Sequence, residues 1–144
     1  MAISFYGDTS DFYLNDSEFN GPRDKGKLEP VYTKLYELVR DIKPNNIVEL
    51  GVGSGACTVA MIRGLQETNS DGKLVGFDTF NSWGGIQTVY QKLKVRNLDK
   101  NIHDMREGNV FKLWVENPTD FDFLWIDIAN TWRTTYDVVF GNDK

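Results

Sequence analysis

Between Asn45 and Gly55 the chain reads Asn-Asn-Ile-Val-Glu-Leu-Gly-Val-Gly-Ser-Gly, an apolar run that reaches an acid and then sets glycine at 51, 53 and 55. Few folds accommodate such a segment. The apolar run is a buried strand. The glycines make a bend with almost no side-chain bulk, where positive φ costs little and a ligand can lie against backbone. From Ala56 to Gln66 the spacing turns helical, with Val59, Ile62 and Leu65 toward a core. A helix that starts there presents amide N–H groups to whatever occupies the bend. A small polar cofactor with a ribose suits such a place.

The alternation recurs along the chain. Leu28, Val31, Leu35, Leu38, Val39 and Ile42 predict a helix that lays its apolar face on a sheet and ends before Pro44. Lys73 to Asp78 is a second buried strand closing on an acid, and the loop after it carries Phe80, Trp83 and a Gly-Gly pair. Ile86, Val89, Tyr90, Leu93 and Leu98 predict a helix. Asn101 to Glu107 is a third strand, followed by Gly108-Asn109 and a short helix through Val115. Phe121 to Asp127 is a fourth strand, and Thr131 to Phe140 a last helix. Strands alternating with helices imply a parallel α/β sheet with right-handed crossovers, a Rossmann-like three-layer arrangement. Ligands of such sheets sit beyond the carboxyl ends of the strands. Glu49, Asp78, Asn109 and Asp127 all fall at those ends. Residues 1–27, polar and flecked with Phe5, Tyr6, Phe12 and Tyr13, read as an N-terminal arm or flap, leaving 28–144 as one domain.

Composition narrows the partners. The net charge is -5, and lysines and arginines are interspersed with acids rather than gathered in a stripe. Neither a nucleic acid nor an anionic membrane is expected as a partner. Cys57 is the sole cysteine, so no internal disulfide can form and a reducing compartment is expected. Met1 to Asp11 lacks the pattern of a signal peptide, and no apolar stretch is long enough to span a bilayer. The expected location is the cytoplasm.

Gly51, Gly53 and Ala56 also fit a Gly-x-Gly-x-x-Ala dinucleotide fingerprint, with Asp78 near the place of a ribose-binding acid. Glu49 argues otherwise. An acid in that corner repels a pyrophosphate and suits a ligand bearing an ammonium and a sulfonium. The Glu-x-Gly-x-Gly-x-Gly pattern resembles motif I of class I S-adenosylmethionine-dependent methyltransferases. Leu74 to Phe80 resembles the second strand of small-molecule O-methyltransferases of the macrocin type, in which the acid, here Asp78, takes the ribose hydroxyls. Gly108-Asn109 resembles the Gly-Asp pair beside the adenine, with Asn in place of Asp. Phe121 to Asp127 resembles the fourth strand.

The resemblance covers roughly Leu28 to Val139 and implies S-adenosyl-L-methionine as cofactor. It implies a cofactor site of Glu49, Gly51, Val52, Gly53, Ser54, Gly55, Asp78, Thr79, Phe80, Gly108 and Asn109. Asp127 is then the residue placed to orient or deprotonate a small-molecule acceptor, and no metal is expected. It further implies the strand order 3-2-1-4, without the family's later strands. The fourth strand would then be an apolar edge, which invites pairing, and a homo-oligomer covering that edge is expected. Asn130 stands where the family has a histidine and Trp132 at the following aromatic position. A truncated, catalytically inactive binding subunit is therefore the alternative, with an NAD-binding oxidoreductase domain behind it. His103 and Cys57 read as ordinary structural residues, although a helix start could lower the thiol pKa of Cys57.

Overall fold

In a computed structural model the described residues are 29–128, except Ser70, Ser82 and Trp83. The expected N-terminal arm, the last helix, Asn130 and Trp132 lie outside the described residues. Helix α1 (Glu29–Ile42) leads into β1 (Asn46–Leu50), α2 (Ala56–Thr68) and β2 (Lys73–Asp78). Then come α3 (Ile86–Lys94), a 3-10 turn (Asp99–Asn101), β3 (Ile102–Glu107), α4 (Val110–Glu116) and β4 (Phe123–Ile126). The four strands are all parallel in the order β3-β2-β1-β4, as the resemblance implied.

Register decides which side chains share a face. Val48 lies beside Val75, and Leu50 beside Phe77, so these four point one way, while Ile47 and Leu74 point the other. The first face meets Val110 and Trp114 of α4, and Trp114 stands edge-on to Phe77 with ring centroids 5.8 Å apart. The second face meets α1, α2 and α3, where Leu35, Val39, Val59, Ile62, Leu65, Val89 and Leu93 are all buried. Each such aliphatic side chain contributes about 1.5–3 kcal/mol by leaving water. Gly64 lets α1 and α2 approach closely, since a Cβ there would stand 2.8 Å from the Tyr36 carbonyl oxygen.

Two details differ from the sequence expectation. The buried stripe of α1 is Tyr32, Leu35, Tyr36 and Val39, whereas Val31, Leu38 and Ile42 are exposed. The tyrosines bury their rings while Tyr36 donates its hydroxyl to Glu67 at 2.6 Å. Val31 and Leu38 instead line a groove of about 290 Å³ that runs toward Trp125 of β4. The fourth strand is also shorter than expected. The Asp122 carboxylate turns back to accept the Asn45 and Asn46 amides at 2.8 and 2.7 Å, so pairing begins only at Phe123. Phe121 stays largely exposed beside Trp114.

Candidate functional site

The carboxyl ends of β1, β2 and β4 converge on the glycine bend. Gly51 donates its N–H to the Phe77 carbonyl at 2.8 Å, and the Asp127 N–H is donated to the Leu50 carbonyl at 2.8 Å. The bend is thus tied to both neighbouring strands. Gly51 adopts φ +97°, and a Cβ there would stand 2.2 Å from the Asp127 carbonyl oxygen. Its missing side chain is therefore required by the protein's own backbone rather than by a ligand. Gly53 is the opposite case. At φ +57° a Cβ there would meet no atom of the described residues within 4 Å, so among them this position is open. Gly55 precedes α2, and no side chain of the described residues caps that helix start. The side chains of Val52 and Ser54 are buried, and Val52 packs over Gly76. What those two residues offer a ligand is backbone.

Asp78 joins the bend to β2. Its Oδ2 accepts the Gly53 N–H at 2.8 Å, and its Oδ1 accepts the Phe80 N–H at 2.8 Å. The Thr79 hydroxyl stands at 3.4 Å from Oδ1. An ionised carboxylate offers about four lone-pair sites, so this acid can still receive ribose hydroxyls while it holds the loop. Phe80 has φ 54°, uncommon for a bulky residue. Its side chain is buried in the core cluster, so packing rather than adenine stacking accounts for it. Trp83 lies outside the described residues.

Glu49 is wholly buried, at 0% exposure. Its Oε1 accepts the Thr58 hydroxyl at 2.5 Å, but its buried Oε2 has no partner among the described residues. An unsatisfied buried acceptor costs about 1–3 kcal/mol. Desolvation pushes the carboxyl up to about 8; the Thr58 bond opposes this, and the charges of Asp127 and Asp78 add to it. An acid ahead of the glycines implies a fixed negative charge here. With nothing bound, the carboxyl is instead mainly protonated at pH 7. Thr58 was not anticipated as part of the site. Its only sequence signal is a hydroxyl in the first turn of the helix that follows the bend.

The remaining candidates divide. Gly108 donates its N–H to the Asp78 carbonyl at 2.9 Å, so the end of β3 is anchored to β2. Asn109 caps α4, its Oδ1 accepting the Lys112 N–H at 3.1 Å. One lone pair of this amide oxygen is thereby engaged, leaving the second lone pair and the amide nitrogen to offer a ligand. The Asp127 side chain is exposed, yet desolvation around its carboxyl holds it above the usual carboxylate range. Cys57 departs from the suggested lowering: burial and the charge of Glu49 drive its thiol well above the usual range. His103 is exposed near the opposite end of the sheet. Among the described residues no three His, Cys, Asp or Glu side chains stand close enough to hold a metal ion, and no helix is long and apolar enough to cross a membrane.

No family model and no curated protein sequence matches the chain. Solved structures do. The O-methyltransferase TomG from Streptomyces achromogenes, crystallised with S-adenosylmethionine, superposes with a TM-score of 0.63 at 18% identity over 82% of this chain and 54% of its own. An S-adenosylhomocysteine-bound methyltransferase from Podospora anserina gives a TM-score of 0.63 at 16% identity, over 82% of this chain and 51% of its own. An O-methyltransferase from Bacillus cereus, in complex with S-adenosylhomocysteine, gives 0.56 at 22% identity, over 68% and 44%. The chain thus spans about half the length of the structures it matches. Their shared architecture and the strand order β3-β2-β1-β4 agree: this chain has the Rossmann-like fold of class I O-methyltransferases.

Proposed function

We propose that the bend between β1 and α2 binds S-adenosyl-L-methionine and that the protein transfers its methyl group to a small-molecule acceptor, a hydroxyl. One observation carries this reading: the open position at Gly53, which lies between the Asp78 carboxylate and the uncapped start of α2. The orphaned Oε2 of Glu49, buried beneath that bend, fits a ligand bearing positive charge. The structural neighbours crystallised with this cofactor or its product support the same assignment.

The cofactor supplies a methyl group already activated on a sulfonium, so the protein's task is alignment. The backbone at Gly51, Gly53 and Gly55 would lie along the methionyl part and ribose. Asp78 would receive ribose hydroxyls on the lone pairs that Gly53 and Phe80 leave free. The Asn109 amide nitrogen would donate to an adenine ring nitrogen. Asp127, raised by desolvation, is the better base for it and would orient or deprotonate the acceptor hydroxyl.

Isothermal titration of the chain with S-adenosylmethionine and with NADH tests the assignment: binding of the first without the second is expected. A Cβ at Gly53 meets no described atom within 4 Å, and the positive φ there costs a side chain only about 1–2 kcal/mol, so Gly53→Arg should fold and lose affinity by roughly 100-fold or more, as a filled site does. Unchanged affinity in that variant, or NADH binding in its place, removes the assignment.

A further inference from the structure

Glu49 has no stated task so far beyond fitting a positive charge. The groups that face it can be named element by element. From α2 come Cys57 and Thr58, from β4 its register partner Trp125 and the following Asp127, and from the end of β2 Asp78. The buried stripe of α1, on the same side of the sheet, brings Tyr32 and Tyr36 as its titratable groups, with the Tyr36 hydroxyl bonded to Glu67. The charged groups acting on Glu49 among the described residues are both acids. A wholly buried carboxyl with one orphaned oxygen, between two acids and beneath an open bend, is a poor structural element. It is a good receiver for a cation.

We propose that Glu49 is the proton-exchanging counter-group of this site and selects ligands that carry an ammonium: neutral while the site is empty, it ionises when the ammonium docks, and binding releases a proton. The proposal rests on the reading of the bend as an S-adenosylmethionine site. The step balances simply. The O–H bond of the Glu49 carboxyl breaks, the proton passes to solvent, and the carboxylate left behind offsets the positive charge that has arrived. At 0% exposure the carboxylate acts across the loop rather than by direct contact.

Magnitudes agree with this. Burial holds the empty-site carboxyl at about 8. A unit positive charge about 6 Å away at an effective dielectric constant of about 20 lowers a carboxyl by about two pH units. At pH 7 that change expels about 0.8 proton per ligand bound, and it makes binding about 25-fold tighter at pH 8 than at pH 6.

The test is calorimetric titration of the chain with S-adenosylhomocysteine at pH 7 in buffers of different ionisation enthalpy. A release of about 0.8 proton is expected in the unaltered protein. Glu49→Gln, which keeps an acceptor for Thr58, should still bind but with release near zero. The probe 5′-methylthioadenosine, which lacks the ammonium, should bind without release. Binding of S-adenosylhomocysteine with no proton released, or an equal release in Glu49→Gln, overturns the proposal and leaves the cofactor assignment standing. No binding of S-adenosylhomocysteine at all defeats both. Should Glu49→Gln not fold, carboxyl carbon NMR of the unaltered chain decides. A glutamate titrating near 8 that loses this midpoint on addition of S-adenosylhomocysteine supports the proposal, and a midpoint unmoved by ligand refutes it.

Discussion

The two rims of the sheet are built from similar residues and use them in opposite ways. At the amino rim, polar groups find partners within the protein. Asp122 accepts two backbone amides, the Lys73 ammonium donates to the Lys100 carbonyl at 2.8 Å, and the Asn101 side chain donates to the Gly72 carbonyl at 2.9 Å. Even the hollow of about 340 Å³ at that rim is lined by Thr119, whose hydroxyl accepts from Arg106 at 2.9 Å. At the carboxyl rim, Glu49 keeps an oxygen with no partner among the described residues, desolvation raises the carboxyl of the exposed Asp127, and a Cβ at Gly53 would meet no described atom within 4 Å. Partnered polar groups hold a fold together. Unpartnered ones cost stability and are kept where a ligand can complete them.

Substitutions at both rims can break this contrast. The largest effect is expected at Gly51, where alanine must adopt positive φ and displace the Asp127 carbonyl. Denaturant unfolding of Gly51→Ala should show a loss of about 4 kcal/mol. Next is the pH dependence contributed by Glu49. Its folded-state value of about 8 lies above the ordinary glutamate value of 4.5, so the folded chain binds the extra proton. Its stabilising share is complete below about pH 4.5 and is lost as pH rises toward 8. The ligand-free protein should therefore lose about 4 kcal/mol from this group across that window. Glu49→Gln should flatten the curve, and an equally steep curve in the variant would mean that another group carries it. Asp78→Ala should weaken S-adenosylhomocysteine binding by about 2 kcal/mol, typical of a charge-assisted contact. The smallest effect belongs to the amino rim: Asp122→Ala should lower stability by about 1 kcal/mol and leave ligand affinity unchanged. A loss of affinity there would erase the distinction between the rims.

Much of this was legible in the chain. Lys73 to Asp78 is a strand over the expected residues, and the parallel order followed once each strand was seen to close on Gly or an acid. Of the expected helices, those that fall on described residues all appear, although Leu98 is buried from the turn after α3 rather than from the helix itself; the one expected at Thr131 to Phe140 lies outside the described residues. The miss on α1 has a physical cause. Tyrosine counts weakly in a hydrophobic pattern because of its hydroxyl, yet Tyr32 and Tyr36 bury their rings and Val31 and Leu38 do not. Asn109 was open to a better reading, since asparagine before a short helix is a capping residue. The protonation of Glu49 was not legible. It depends on burial and on two acids brought close by β2 and β4, and no spacing along the chain carries that information.

The backbone oxygen of Asp127 pressed against Gly51 has a further consequence. The residue proposed to handle the acceptor and the loop proposed to hold the methyl donor touch through main chain, without a flexible side chain between them. In the proposed reading, the spacing between the Asp127 main chain and the bend is set by the strands, and neither half can be retuned without moving the other. What is left to adapt to an acceptor is the exposed Asp127 carboxyl and the side chains around it.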